Sequence, residues 1–128
     1  MPKNLSHLRY QAASIQSFRC FYCRLPMWAG NPTLFIQRFG LTGRQAKLFQ
    51  CTAEHLQAQC VGGQHTKANI AAACWHCNQK RHRTTKPLEP AEFQKRALHS
   101  VSKGGWFPGG LATKVARLSV QPSRTVGK

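Results

Sequence analysis

Leu48, Gln50, Thr52 and Glu54 alternate with Phe49, Cys51, Ala53 and His55 along the run KLFQCTAEH. That period of two predicts a strand over 47–55 that buries Phe49 and Cys51 and delivers Glu54 and His55 at its end. TLFIQRF, 33–39, also has strand-type residues, and GLTGRQ after it has the composition of a turn. Downstream, Gly62 and Gly63 mark a reversal inside the loop LQAQCVGGQHTK. NIAAACWHCNQKRH is rich in Ala and free of Gly and Pro, so it predicts a helix from Asn69, with that residue as its N-cap. A further helix is expected at EPAEFQKRALHS, with Pro90 in the first turn and an apolar stripe of Phe93, Ala97 and Leu98.

The remaining stretches lack such order. Residues 1–14 are polar with scattered basic groups and predict a flexible arm. Residues 101–128 place four Gly within 104–110 and end in a basic run without a single acid, which predicts a disordered tail. One domain over 15–100 is left between them, and a chain of 128 residues has no room for a second of ordinary size.

Charge narrows the function classes. Lys and Arg number 19 against three Asp plus Glu, a formal net charge of +16. A polyanion is the expected partner: DNA, with RNA as the alternative. The cations are spread along the chain and do not line one amphipathic face, which argues against a membrane surface. The N-terminal stretch has no apolar core of a leader and no segment approaches a spanning length, so a cytoplasmic, reducing location is expected.

In that compartment six cysteines point to metal ligation and away from a disulfide scaffold. Cys20/Cys23 and Cys74/Cys77 are two C-x-x-C pairs, the spacing with which two knuckles grip one tetrahedral zinc ion. Cys51 and Cys60 fit no second pair and are expected to be small buried hydrophobes. Fifty residues separate the two pairs, so the ion would hold something substantial between them. Trp28, Trp75, Phe21 and Tyr22 are expected to pack around it, whereas Trp106 and Phe107 have no evident place.

Between and beyond the knuckles the order is Glu54-His55, Gly62-Gly63, Asn69, then Cys74-x-x-Cys77-Asn78. Over about residues 18–83 this resembles the HNH endonucleases of the ββα-metal group, in particular those braced by a four-cysteine zinc site. The resemblance implies a small α+β, zinc-stabilised, treble-clef-like ββα-metal fold and metal-dependent cleavage of DNA. It implies that His55 activates water, that Glu54 and Asn78 hold the catalytic cation, and that Asn69 hydrogen-bonds across the loop and orients His55. The residue chemistry agrees. An imidazole titrates near neutrality and serves as a general base, while a carboxylate and an amide oxygen are hard ligands suited to Mg²⁺ or Mn²⁺. Glu stands where many members of the family carry Asp, and Asn where others carry a third His.

Around this set, His82 lies one helical turn after Asn78 and could face the same ion. His65 and His76 are expected to be ordinary polar residues. Lys80, Arg81 and Arg83 form a basic cluster expected to grip phosphates, Arg81 best placed among them. The rival reading is a noncatalytic zinc module that binds nucleic acid, for which Glu54, His55, Asn69 and Asn78 would be unnecessary together. Oligomeric state, target sequence and nicking versus double-strand cutting leave no mark in the sequence.

Overall fold

The computed structural model describes residues 3–119. Its elements in chain order are α1 (Lys3–Ile15), α2 (Thr33–Phe39), α3 (Gly43–Lys47), β1 (Cys51–His55), a 3-10 turn (Gln59–Val61), β2 (Ile70–Cys74), α4 (Trp75–Arg81), α5 (Pro90–Ser102), a second 3-10 turn (Pro108–Gly110) and α6 (Leu111–Ser119). β1 and β2 form a two-stranded antiparallel sheet in the register Cys51↔Cys74 to His55↔Ile70. With α4 running straight out of β2, the centre of the molecule is a ββα unit. This is a small α+β fold, and none of its described helices is long and apolar enough to cross a membrane.

The stretch 33–39 is a helix and not a strand. Phe35 and Phe39 are buried with Ile36 packed beside them, a spacing that one helical face collects and a strand would scatter. Gly40 ends it in the left-handed conformation at φ 61°, donating its N–H back to Ile36. The expected turn after it contains α3, started by a capping box in which Thr42 and Gln45 exchange side-chain and backbone bonds.

The Ala-rich run departs from expectation in the opposite sense. Residues 70–74 form β2, and the helix begins only at Trp75 with Cys74 as its N-cap, so Asn69 is not a helix cap. Every residue of β2 is buried. Ala72 is pinned on its open side, where its carbonyl accepts from Phe21 N–H and from the Gln16 side chain, and its N–H donates to Gln16 Oε1. Alanine prefers a helix by a fraction of a kcal/mol; here its small side chain lets α1 and the first knuckle close over the strand, and packing outweighs propensity.

Both termini are more ordered than the sequence suggests. The flexible arm expected over 1–14 is helix α1 from Lys3, anchored by Leu5 and Ala13. The disordered tail expected from 101 continues α5 to Ser102 and then docks. Phe107 lies between the rings of Phe49 and His76, at 4.7 and 4.4 Å, and Leu111, Ala112 and Val115 of α6 are buried. The remaining residues of that tail, 120–128, lie outside the described ones. The helix expected at 89–100 is present with Pro90 in its first turn, and its buried positions are Phe93 and Ala97, with Leu98 exposed.

Candidate active site

Cys20 and Cys23 sit on a tight knuckle whose backbone closes through Cys20 N–H to Leu25 O and Arg24 N–H to Cys20 O. Cys74 and Cys77 come from the β2–α4 junction. The four sulfur atoms lie within 4.8 Å of one another, all buried, as a cluster positioned to hold a metal. Burial pushes the Cys74 and Cys77 thiols well above the usual range; burial acts on Cys20 too, but hydrogen bonds from Cys23, Cys74 and Cys77 hold it well below. Buried sulfurs with conflicting proton demands fit a cation that takes all of them as thiolates, and four soft donors converging on one point are compatible with zinc. Cys77 Sγ also accepts a hydrogen bond from the Trp106 indole N–H at 3.2 Å, which gives that residue its place. Cys51 is buried, its thiol pushed up to about 11 by burial, whereas Cys60 is exposed and not the buried hydrophobe expected.

Next to this cluster a cleft of about 530 Å³ is lined by Glu54, His55, Asn78 and His82, with Leu5 and Cys60 at its walls. β1 contributes the first two residues and α4 the others. Glu54 is fully buried, and its Oε2 accepts from Tyr22 O–H at 2.6 Å and from Arg81 Nη1. Its Oε1 faces His82 Nε2 at 2.9 Å. One carboxylate oxygen is thus bound into the protein, while the other meets only an imidazole that is 29% exposed.

Asn78 is fixed in the complementary way. Thr52 Oγ1 donates to Ala73 O at 2.7 Å and so must accept from Asn78 Nδ2 at 2.9 Å; the same Nδ2 donates to Ala53 O. This assigns the amide orientation and leaves Oδ1 without a hydrogen bond among the described residues. A carboxylate oxygen, an amide oxygen and an imidazole nitrogen around one cleft are donors that suit a hard divalent cation.

His55 is half-buried, and burial together with the neighbouring His65 lowers its pKa, an effect the Glu54 carboxylate partly offsets. Its ring therefore stays neutral, able to take a proton, to a lower pH than an ordinary histidine. Asn69 does reach across the loop. Its Oδ1 accepts from Gln57 N–H, and its Nδ2 donates to the carbonyls of Gln57 and Gln64. It does not touch the His55 ring.

Arg81 departs most from expectation. Placed by sequence among the phosphate-gripping residues, its side chain is 3% exposed and every nitrogen is spent inside, Nε on Leu88 O, Nη1 on Glu54 and His55 O, Nη2 on Leu56 O. It closes off the site, and a side chain so buried does not reach DNA. Of its neighbours, Lys80 lies 4.9 Å over the Trp106 ring and Arg83 is exposed, as is Lys86. His76, expected to be an ordinary polar residue, bonds the Trp106 carbonyl at 2.6 Å.

Tyr22 went unrecognised as a site residue. It lies between the first two cysteines, so one turn of chain serves both the metal cluster and the carboxylate. Burial and the adjoining Glu54 carboxylate push its phenol far above the usual range, so it remains a donor at any working pH. Tyr22→Phe removes one buried hydrogen bond to a charged group. It is expected to lower the unfolding free energy by about 1.5–3 kcal/mol in a urea titration, with the metal content of the cysteines unchanged.

Residues 43–84 match the family model described as HNH endonuclease. The matched segment runs from α3 through α4, about a third of the chain, and contains Glu54, His55, Asn69 and Asn78 together with Cys74 and Cys77. That segment is therefore similar to an HNH endonuclease domain, the class to which the ββα unit and its cleft also point. Comparison with curated proteins and with solved structures returned no match.

Proposed function

We propose that this protein is a metal-dependent DNA endonuclease acting in the cytoplasm. The observation that carries the reading is the cleft itself. An unfilled amide oxygen on Asn78, the Glu54 carboxylate oxygen that faces His82 and a neutral imidazole on His55 line it from one ββα unit. A noncatalytic binding module has no use for that combination.

In this reading the four cysteines hold structural zinc. Glu54 Oε1 and Asn78 Oδ1 hold Mg²⁺ or Mn²⁺, with His82 Nε2 beside them as a further donor. Once bound, the cation neutralises charge gathering on the scissile phosphate and the leaving oxygen. His55 takes the proton of the attacking water, Tyr22 and Arg81 fix the carboxylate, and Asn69 fixes the loop opposite His55. In-line attack leaves a 5′-phosphate and a 3′-hydroxyl. Lys80 and Arg83, with Lys86, contact phosphates flanking the cut.

Supercoiled plasmid incubated with the protein in Mg²⁺ or Mn²⁺ is expected to yield relaxed and linear forms. EDTA should prevent this, and His55→Ala should slow it by about 10²–10⁴-fold while leaving plasmid retention unchanged. Equal retention by both proteins with no cutting in either metal would instead favour a zinc module that binds nucleic acid without cleaving it.

A further inference from the structure

The loop that lines the cleft through Ala58, Gln59 and Cys60 is shaped by two glycines. Gly62 has φ 96°, and a Cβ on Gly63 would stand 1.7 Å from the Gln57 carbonyl oxygen, so at that point the chain approaches itself more closely than any side chain permits. Gly63 N–H donates to Ala58 O, and the Asn69 amide ties Gln57 to Gln64 across the gap. The next residue is His65. Its Nδ1 lies 2.9 Å from His55 Nε2, the two rings 4.9 Å apart and inclined by 48°. Among the described residues His55 Nδ1 has no hydrogen-bond partner.

Two nitrogens at that distance share one proton. For His55 to receive a proton from water it needs a bare nitrogen, and its free Nδ1 is the one not engaged by the loop. The shared proton then resides on His55 Nε2, and the His65 Nδ1 lone pair accepts it. We infer that His65 is a positioning residue for His55: by accepting the Nε2–H it fixes both the ring angle and the tautomer, and makes Nδ1 the atom that takes the proton.

The inference rests on the nuclease reading of the site and gives Asn69 its means of action. By holding the Gln64 carbonyl, Asn69 sets the next residue in the chain, and that residue holds the base. The proton count closes. Water gives H⁺ to His55 Nδ1, the hydroxide forms the new P–O bond as the P–O3′ bond breaks, and the 3′-oxygen takes a proton from solvent. The resulting imidazolium still donates Nε2–H to the lone pair of His65 Nδ1, so its charge arises already hydrogen-bonded.

Two measurements on the full chain test this. In ¹⁵N-labelled protein near neutral pH, the N–H···N bond is expected to give a scalar coupling between His55 Nε2 and His65 Nδ1, with a ring N–H proton protected from exchange. Both should vanish in His65→Ala. In the plasmid assay, His65→Ala is expected to lower kcat by about tenfold to a hundredfold with KM unchanged, the worth of one hydrogen bond to a charged group. His65→Gln, whose amide oxygen can accept the same bond, should recover most of the loss. Absent coupling in the wild type, or His65→Ala cutting at the wild-type rate, overturns the inference while leaving the nuclease reading intact. A wild type that shows the coupling but never cuts sinks the nuclease reading, and the positioning role with it, and leaves only a structural histidine pair.

Discussion

Arg81→Met is expected to cost about 3–5 kcal/mol of stability, because it strands the Glu54 carboxylate in the interior. The arginine meets more than a salt bridge's needs. Beyond Glu54 it satisfies the carbonyls of His55, Leu56 and Leu88, so its loss also frees three backbone acceptors next to the cleft. Urea unfolding of wild type, Arg81→Met, Glu54→Gln and the double variant separates these effects. The double variant should be more stable than Arg81→Met alone, since the buried charge has gone with its partner. If Arg81→Met instead unfolds like the wild type and loses DNA retention, Arg81 faces phosphate and its burial is wrong.

Stripping the metal from the four cysteines is expected to unfold the protein altogether. Apparent binding free energies of structural zinc reach about 10–16 kcal/mol near neutral pH, which equals or exceeds the whole stability of an ordinary domain, about 5–15 kcal/mol. The cluster joins the first knuckle, the end of β2, the start of α4 and, through the indole of Trp106, the segment before α6. A zinc chelator or Cys77→Ser should therefore abolish the near-ultraviolet circular dichroism and the cooperative thermal transition, and added Mg²⁺ should restore neither. A metal-free protein that melts cooperatively at the wild-type temperature would mean that packing alone holds these elements.

The site was more legible in the sequence than the elements that carry it. Two C-x-x-C pairs and an acid-histidine pair are spacings, and spacing survives any error about helix and strand. The cysteine cluster forms as expected, and Glu54, His55, Asn69 and Asn78 lie within residues 43–84, the range of the domain match. The elements were misjudged where local preference and packing disagree. Ala71–Ala73 favour a helix in isolation and form a strand because α1 and the knuckle need small side chains there. Phe35 and Phe39 are strand-type residues whose spacing of four suits one face of a strand as well as of a helix, and only Ile36, packed against the same core, tells the two apart. Phe107, Leu111 and Val115 repeat at that same spacing, a signal overshadowed by the glycines around them. Arg81, Tyr22 and His65 were out of reach for another reason. Their partners lie 27, 32 and 10 positions away, and no periodicity says that a cation in a basic run is the one turned inward.

The boundaries of the domain match also bear on how the protein comes to exist as a working object. Residues 43–84 hold the motif, but two of the four sulfurs and the hydroxyl on Glu54 arrive from upstream, and the indole over Cys77 arrives from downstream. The module as sequence and the module as a physical thing have different edges. A ribosome delivers the first knuckle and Tyr22 before any motif residue and Trp106 only after the last, and a gene fusion cut at residues 43 and 84 would inherit the family's signature without its architecture.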